Sequence, residues 1–320
     1  MKILVTGGAG FIGSNFIRYW RQGHPQDEIT NLDLLTYAGN LDNLRDIEAD
    51  PLYHFYQGDI ADVSLVDKLV CGQDLIVHFA AESHVDRSIK DSASFIHTNV
   101  EGTRVLLEAA RLHGLIRFHH ISTDEVFGSL NHKDPAFNEN TPYDPRSPYS
   151  ASKAAADHLV RSYFHTHGLP VTISNCSNNY GPYQYPEKFI PRIITNLLSG
   201  QKIPLYGDGK NIRDWIHVDD HNRGVEMIIQ KGQIGETYCL GGHSEKSNRE
   251  IVNLVLGLMG QTTDMIEMVA DRLGHDRRYA IDYSKAQAQL GWQPQTDFSV
   301  GLEQTVKWYS DHKSWWDKLK

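Results

Sequence analysis

Apolar runs of strand length alternate with amphipathic segments of helical length along the first part of the chain. The opening run MKILVT is followed by a segment in which Phe11, Ile12, Phe16, Ile17 and Trp20 recur at helical spacing. Strands that alternate with helices in this way predict a parallel sheet covered on both faces, which is the α/β class. The later strands of this sheet are predicted at DEITNLDLL, LYHFYQGDI, DLIVHFAA, LIRFHHIS and PVTISNCS.

Two long helices are predicted between these strands, at residues 92–113 and 148–167. The second is rich in alanine, with Pro148 near its start and Gly168 directly after its end. Proline is accepted in the first turn of a helix and glycine commonly ends one, so both boundaries are marked.

The alternation stops after about Asn178. The segments NNYGPYQYPEK and LYGDGKNIRDW are rich in Gly, Pro and Tyr, which predicts loops that face a ligand. The last third mixes short helices such as NREIVNLVLGLMG with polar turns, and no linker separates it cleanly from the rest. We therefore predict a first domain over 1–177, to which later segments return, and a smaller, interleaved lobe mainly over 178–320.

Composition excludes several classes of function. A net charge of −9 argues against a wide nucleic-acid-binding face. Three widely spaced cysteines favour a reducing cytoplasm, and neither a signal peptide nor a membrane-spanning run is visible. The 17 histidines show no metal-binding spacing, and His119 and His120 should face opposite ways along one strand. We expect a soluble cytoplasmic protein that binds no nucleic acid, membrane or metal.

A glycine-rich turn lies between the first predicted strand and the first helix. In TGGAGFIG, the spacing of Gly7, Gly10 and Gly13 lets the backbone turn tightly and approach a pyrophosphate at the helix N-terminus. Asp33 follows about 20 residues after the last of these glycines, where a carboxylate accepts from an adenosine 2′-hydroxyl and repels a 2′-phosphate. Glycines that only shorten a packed turn are the alternative. The pattern predicts a Rossmann-type, doubly wound sheet that binds NAD in preference to NADP.

Tyr149 and Lys153 stand four residues apart at the start of the second long helix, so both side chains project from one face. A lysine ammonium and the positive charge of an oxidised nicotinamide would lower the pKa of the tyrosine from about 10. A base beside a hydride acceptor is what alcohol oxidation requires. The residues predicted to bind the cofactor, including two placed to meet the adenine after the third strand, are Gly7, Gly10, Phe11, Ile12, Gly13, Asp33, Asp59, Ile60, Tyr149 and Lys153.

Two adjacent carboxylates occur in the run RFHHISTDEVFGSL. Thr123, Asp124 and Glu125 lie where a buried strand reaches the surface, just before a turn at Gly128. A helix cap or a solvated turn is the ordinary explanation for such a group. The alternative is a set of acid and base groups in a reaction site.

Together, TGxxGxxG and YxxxK resemble the extended short-chain dehydrogenase/reductase family. Within it, the segments STDEVFG, AAESHVDRSI, NNYGPYQYPEK, RDWIHVDDH and DRLGHDRRYAID resemble the dTDP-glucose 4,6-dehydratases over nearly the whole chain. The resemblance implies NAD-dependent conversion of dTDP-glucose to dTDP-4-keto-6-deoxyglucose and water. Two alternatives keep the fold: a nucleotide-sugar 4-epimerase, which usually lacks the two acids, and a dehydratase of UDP- or other nucleotide sugars. A non-catalytic dinucleotide sensor would need no acid and base set.

The resemblance also implies a role for each reactive residue. Tyr149 would be the base that initiates oxidation at carbon 4, and Thr123 would bond near the carbon 4 oxygen. Asp124 would protonate the leaving hydroxyl of carbon 6, while Glu125 would remove the carbon 5 proton. An acid that works near neutral pH needs a raised pKa, and an adjacent carboxylate in a closed pocket acts in that direction.

Residues outside the dinucleotide motif are expected to bind the sugar nucleotide. The resemblance implies this role for Asn178, Arg213, Asn248, Arg272 and His275. Further candidates are His84, Glu187 and Lys188 in nearby segments. Taken singly, the charged members are equally consistent with surface ion pairs, and the histidine at 84 with a structural role.

The resemblance further implies that the helices at 92–113 and 148–167 build a dimer interface, so a homodimer is expected. Leu34, Phe127 and Asn175 depart from the family pattern without removing a proposed catalytic group. The pathway served, cell-wall rhamnose or a secondary-metabolite deoxysugar, stays open.

Overall fold

Seven parallel strands form the large sheet, in the order β3-β2-β1-β4-β5-β6-β10. The computed structural model describes residues 1–271 and 276–320. In chain order its strands are β1 (Lys2–Thr6), β2 (Glu28–Asp33), β3 (Tyr53–Gln57), β4 (Leu75–His78), β5 (Arg117–Thr123), β6 (Val171–Cys176), β7 (Asn178–Tyr180), β8 (Ile203–Tyr206), β9 (Ile212–His217), β10 (Thr237–Leu240), β11 (Glu245–Ser247) and β12 (Ile266–Val269). The predicted parallel, doubly wound sheet is confirmed.

Helices cover both faces of this sheet, and further helices belong to the smaller lobe. In chain order they are α1 (Phe11–Gly23), α2 (Val63–Val70), α3 (Val85–Lys90), α4 (Ala93–Phe95), α5 (Thr103–Leu112), α6 (Pro148–His167), α7 (Phe189–Leu198), α8 (Val218–Lys231), α9 (Asn248–Leu258), α10 (Ser284–Leu290), α11 (Phe298–Asp311) and α12 (Lys313–Trp316). On one face, Phe16 and Trp20 of α1 share a core with Ile228 of α8. On the other, Leu106 of α5 and Val160 of α6 pack with α2.

The strand order reverses direction between β1 and β4. In open parallel sheets, ligands bind in the crevice that opens beyond the carboxyl ends of the strands at such a point. The glycine-rich turn after β1 and the residues that follow β4 and β5 therefore face one crevice.

The predicted helix at residues 92–113 is one continuous helical segment with an irregular middle. A π-helical stretch over Ile96–Gly102 joins α4 to α5. A Cβ added at Gly102 would lie 2.5 Å from Cδ1 of Ile60. The helix therefore lies very close to the segment that follows β3. Such π-turns are rare and commonly occur at functional sites.

The second long helix has the boundaries that the sequence predicts. Ser147 caps α6 by accepting from the Ser150 amide, Pro148 is its first residue, and Gly168 ends it. This helix packs on α5 and carries Tyr149 and Lys153 in its first two turns, which fixes their direction relative to β5.

The smaller lobe contains short strands where the sequence predicted only loops. In the segments NNYGPYQYPEK and LYGDGKNIRDW lie β7, the end of β8, and most of β9. β9 pairs with β7 in parallel and with β11 antiparallel, while β8 pairs with β12. The loop prediction was wrong here because glycine content outweighed the apolar residues of strands only three to six residues long.

Elements beyond residue 177 also lie with the large sheet, among them α10, which packs on β10 and α8. β10 is the edge strand of this sheet next to β6, and α8 packs against α1. The lobe keeps its own core, which includes Ile194, Trp215 and Leu302. The domain division at residues 177 and 178 stays a prediction.

Candidate active site

A cavity of about 1560 Å³, counting the part open to solvent, lies at the carboxyl ends of β1, β2, β4, β5 and β6. It brings the dinucleotide motif together with both predicted catalytic sets. The predicted site residues that line it are Gly7, Gly10, Phe11, Ile12, Gly13, Asp33, Asp59, Ile60, Thr123, Asp124, Glu125, Tyr149, Lys153, Asn178 and Lys188.

The glycine-rich turn leaves no room for side chains. Gly7 has a φ of +73°, and a Cβ added there would lie 2.5 Å from the Ala80 amide nitrogen. A Cβ at Gly13 would collide with the carbonyl oxygen of Gly7. α1 begins directly after Gly10, which offers no side-chain cap. The amide groups at this helix start can therefore bind the phosphates of a dinucleotide.

Asp33 stands at the end of β2 with 8% of its surface exposed. Its Oδ2 accepts from the Ala9 amide at 2.9 Å and its Oδ1 from the Leu35 amide at 2.8 Å. These bonds hold the carboxylate beside the glycine turn, where it suits a ribose hydroxyl. Asp59, which was predicted to meet the adenine, pairs with His97 Nε2 at 2.9 Å. The residues present fit NAD.

The glycine turn is also supported from the far end of the chain. Asn43 Nδ2 donates to the Ala9 carbonyl at 2.8 Å, and its Oδ1 accepts from Trp315 Nε1 at 2.9 Å. Both side chains are buried. No sequence motif indicates this contact, because the two partners are separated by most of the chain.

Thr123, Asp124 and Glu125 combine the two explanations that the sequence left open. Thr123 ends β5 and caps a short 3-10 helix over Asp124–Phe127 by accepting from the Glu125 amide at 3.3 Å. The same hydroxyl donates to Asp124 Oδ1 at 3.3 Å. The group is thus a cap whose two acids both line the cavity.

The surroundings of Asp124 favour its protonated form. It is 1% exposed, and its Oδ2 has no hydrogen-bond partner among the described residues. Burial, and then the neighbouring carboxylates of Glu125 and Asp214, raise the pKa of Asp124 well above its ordinary value. The direction agrees with the sequence prediction, although burial and not the adjacent carboxylate is the larger cause.

Lys153 is buried and directed at β5. Its Nζ donates to the Ile121 carbonyl at 2.8 Å and lies 3.4 Å from His120 Nε2. Burial lowers the pKa of Lys153 to about 8. In contrast to the lowering that the spacing predicted, burial and the charge of Glu125 raise the pKa of Tyr149 well above its ordinary value. The predicted lowering includes the charge of an oxidised nicotinamide beside the phenol, so it stays a prediction for the NAD-bound protein, and burial of the phenol acts in the opposite direction.

Among the residues predicted to bind the substrate, Asn178 and Lys188 line the cavity. Asn178 Oδ1 is buried without a partner among the described residues, and Lys188 Nζ donates to the Ser83 carbonyl at 3.2 Å. The other two nearby candidates form an ion-pair cluster outside the lining: Glu187 lies 3.6 Å from His84 and 3.2 Å from Arg87.

Arg213 and Asn248, which were also predicted to bind the substrate, lie in the smaller lobe and outside this lining. Arg213 donates to the carbonyl of Asp276 at 3.1 Å, with its guanidinium 4.2 Å from the ring centre of Tyr279. Asn248 begins α9, and its amide donates to the Asn211 carbonyl at 2.9 Å. Arg272 and His275 lie outside the described residues.

Sequence reasoning did not single out a further set of cavity residues, although several of them lie in the segments that carry the family resemblance. Asn99 of the π-helical stretch bonds both the amide and the carbonyl of Glu82, at 2.9 and 3.0 Å, which holds the segment after β4 in place. Many of the cavity residues missed in this way lie at the carboxyl edge of the sheet, and that position was a signal available for them. The missed lining residues include Phe79, Ala80, Ala81, Glu82, Ser83, Thr98, Ser122, Cys176, Ser177, Asn179, Gln184 and Tyr185.

Over residues 1–271 and 276–320, no cluster of three or more His, Cys, Asp or Glu side chains has an arrangement that could hold a metal ion. None of the described helices combines the length and the apolar character needed to cross a membrane.

Comparison with known proteins agrees with this geometry. The sequence model of the family described as GDP-mannose 4,6 dehydratase matches residues 4–305. A dTDP-glucose 4,6-dehydratase of Mycobacterium tuberculosis is 54% identical over 322 residues, covering 100% of this chain and 96% of the relative. The chain belongs to the dTDP-glucose 4,6-dehydratase family.

Solved structures separate this family from related epimerases. The DesIV dTDP-glucose 4,6-dehydratase of Streptomyces venezuelae, crystallised with NAD bound, superposes with a TM-score of 0.98 at 50% identity, covering 100% of both chains. The UDP-glucose 4-epimerase of Thermotoga maritima superposes with a TM-score of 0.90 at 28% identity, covering 97% of this chain and 99% of the other. The fold is common to both, whereas the sequence is nearer to the dehydratases.

Proposed function

We propose that this chain is an NAD-dependent lyase that converts dTDP-glucose to dTDP-4-keto-6-deoxyglucose and water. The observation that carries the proposal is the pair Asp124 and Glu125, a buried acid with a raised pKa beside a second carboxyl group, in one cavity with Tyr149 and Lys153. The full-length identity to dTDP-glucose 4,6-dehydratases supports the substrate and the cofactor.

NAD would be held by the glycine turn, Asp33, and the segment around Asp59. When bound, it supplies an acceptor that takes a hydride from carbon 4 of the sugar and later returns it to carbon 6. The amides at the start of α1 would bind its phosphates, and the Asp33 carboxylate would accept from a ribose hydroxyl.

Tyr149 would take the proton of the carbon 4 hydroxyl. Its phenol must ionise for this step, so a positive charge close to it must offset the effect of burial. The ammonium of Lys153, one helical turn away, would supply that charge. The Thr123 hydroxyl is a hydrogen-bond partner of the Tyr149 side chain and would orient the carbon 4 oxygen.

Glu125 and Asp124 would then divide the elimination between them. A ketone at carbon 4 acidifies the proton on carbon 5, which Glu125 would remove as a carboxylate. Asp124 would donate its proton to the leaving hydroxyl of carbon 6, so water departs. The surroundings of the two acids suit this division, because burial, which favours the protonated form, is nearly complete for Asp124 and only partial for Glu125.

We infer that the sugar nucleotide extends from this cavity into the smaller lobe. Asn178 and Lys188 would contact the sugar or the nearer phosphate, supported by their place in the lining. Arg213 and Asn248 would bind further along the nucleotide, supported by the family resemblance. Arginine suits a phosphate because its planar guanidinium makes paired bonds.

A homodimer and a cytoplasmic location complete the proposal. The dimer would use the surface of the helical segment 92–113 and of α6, as the family resemblance implies. Cys71, Cys176 and Cys239 are unpaired, which is consistent with a reducing compartment. Light scattering at micromolar protein would contradict the dimer if it returned the mass of one chain.

The test of function uses purified protein without added NAD, incubated separately with dTDP-glucose, UDP-glucose and UDP-N-acetylglucosamine. Mass spectrometry should show loss of one water from dTDP-glucose alone. An unchanged mass with inverted stereochemistry at carbon 4 would establish an epimerase and contradict the roles of Asp124 and Glu125. Water loss from a UDP-sugar alone would keep the chemistry and replace the substrate.

A further inference from the structure

A buried carboxylate that has no part in the steps above lies one helical turn beyond Lys153. Asp157 of α6 has a completely buried side chain, yet four polar groups surround it. Its Oδ1 lies 3.2 Å from His120 Nε2. Its Oδ2 accepts from Ser122 Oγ at 2.8 Å, the Tyr143 hydroxyl at 2.8 Å and Asn175 Nδ2 at 3.4 Å.

His120 connects this carboxylate to the catalytic lysine. Its Nε2 lies 3.4 Å from Lys153 Nζ as well as 3.2 Å from Asp157 Oδ1. One imidazole nitrogen therefore stands between a buried ammonium and a buried carboxylate. All three side chains are buried, so water does not screen the charges.

The other titratable groups against Lys153 are neutral near pH 7. Burial lowers the pKa of His120 to about 4, and lowers that of His78 on β4 well below its ordinary value. Burial raises the pKa of Cys176 on β6 to about 12. Tyr149 is neutral for the reason given above. Asp157 is the group that opposes the effect of burial on the pKa of Lys153 most strongly.

Asp157 itself is ionised. Burial opposes its ionisation, but the bond to His120, the charge of Lys153 and the bond from Tyr143 outweigh burial and hold its pKa below the ordinary value. At the outer end, Arg161 donates to the Tyr143 hydroxyl at 2.9 Å.

The same network reaches the other half of the acid and base set. Asn175 Nδ2 donates to the Thr123 carbonyl at 3.1 Å as well as to Asp157. The carboxylate is thereby tied both to the lysine on α6 and to the strand end that carries Asp124 and Glu125. Three hydrogen bonds to Oδ2, together with the contact of Oδ1 with His120, hold this buried carboxylate in a fixed geometry.

We propose that Asp157, acting through His120, is a positioning residue that keeps the Lys153 ammonium charged and directed towards Tyr149 and the nicotinamide side of the cavity. The inference rests on the proposed function for the meaning of that charge. Without the carboxylate, the ammonium would be buried against a carbonyl and a neutral imidazole, an arrangement that favours loss of its proton.

The test substitutes Asp157→Asn, which keeps the shape and removes the charge, and measures kcat/KM for dTDP-glucose against pH. The decline at alkaline pH should move to lower pH by about one unit or more, a shift within the range seen for loss of an opposite charge. At the pH where wild-type activity is half-maximal on that side, the variant should be about 5-fold slower than the wild type, because a pKa one unit lower reduces the charged fraction from one half to about one eleventh. KM should change little, since Asp157 does not line the cavity.

Two further variants make the result specific. Tyr143→Phe removes one donor to Asp157 and should give a smaller shift in the same direction. Asp220→Asn is the matched control: this buried aspartate on α8 bonds the Gln295 and Thr296 amides and lies in another network. It should lower the unfolding temperature without moving the pH profile. If Asp157→Asn does not fold, the proposal is tested by whether the pH profile of Tyr143→Phe shifts while that of Asp220→Asn does not.

A second measurement is independent of turnover. Lys153 is also expected to hold NAD, so the fraction of NAD retained after dialysis should fall at a lower pH in Asp157→Asn than in the wild type. A uniform loss of activity with an unmoved pH profile and unchanged retention would overturn the proposal. A wild type without dehydratase activity whose NAD retention still shifts in the variant would refute the proposed function and leave the role of Asp157 intact.

Discussion

Replacing Asp124 by asparagine removes one transferable proton and leaves the shape of the side chain nearly unchanged. The carboxyl group is 1% exposed, and one of its oxygens bonds the Thr123 hydroxyl at 3.3 Å. The other oxygen has no partner among the described residues, so it is the oxygen from which a proton can pass to the sugar. An amide in its place can bond the leaving hydroxyl but cannot protonate it.

The magnitude of the effect follows from how fully the acid is protonated. Positioned acids contribute about 10²- to 10⁴-fold to a rate. Burial, Glu125 and Asp214 together raise the pKa of Asp124 well above its ordinary value, which favours the protonated form that the proposed step requires. We therefore expect water loss to slow by ~10³-fold or more, which is about 4 kcal/mol of activation free energy. Oxidation at carbon 4 should change by only a few-fold, about 1 kcal/mol or less.

Rapid mixing of Asp124→Asn with dTDP-glucose should show absorbance of the reduced cofactor that rises and persists, whereas in the wild type it should decay with each turnover. In heavy water, Glu125 should still exchange the carbon 5 hydrogen, so recovered sugar should contain deuterium at that carbon. Glu125→Gln is the matched control and should oxidise without this exchange. Formation of the 6-deoxy product by Asp124→Asn at the wild-type rate would refute the assignment of the acid.

Three further substitutions test other parts of the site. Tyr149→Phe should lower formation of the reduced cofactor by ~10²-fold or more, because the base for oxidation is lost; full absorbance on mixing would contradict this. Since burial lowers the pKa of Lys153 to about 8, wild-type activity should fall as pH rises through that value and the ammonium deprotonates. Lys153→Arg should be slower but lack this decline, because arginine stays charged. Gly13→Ala places a Cβ against the Gly7 carbonyl and should lower the unfolding free energy by ~1–3 kcal/mol and NAD retention with it, measured by denaturant titration and dialysis.

The sequence predicted the parts of the site that depend on local backbone geometry. The glycine turn, Asp33 and the Tyr149–Lys153 spacing are each determined within one βα unit, and the structure places them on one cavity. The opposite directions of neighbouring side chains along β5 were also predictable: His119 bonds Thr172 and Ser174, while His120 faces Lys153.

What could not be predicted depends on contacts between distant segments and on burial. The direction of the pKa shift of Tyr149 follows from how completely the fold encloses the phenol, which spacing does not reveal. Asp157 is one polar residue in an alanine-rich helix, and no sequence pattern indicates that β5, β6 and the loop carrying Tyr143 enclose it. The short strands of the smaller lobe have too few residues for their periodicity to outweigh their glycines.

The contact between Trp315 and Asn43 has a consequence for biosynthesis. The indole reaches across from the end of the chain to an asparagine that holds the Ala9 carbonyl in the phosphate-binding turn. On the ribosome, the strands and helices of the first domain emerge before Trp315 has been translated. A nascent chain therefore lacks the indole that buttresses this turn, and the complete dinucleotide cradle can exist only once translation has passed the last helices.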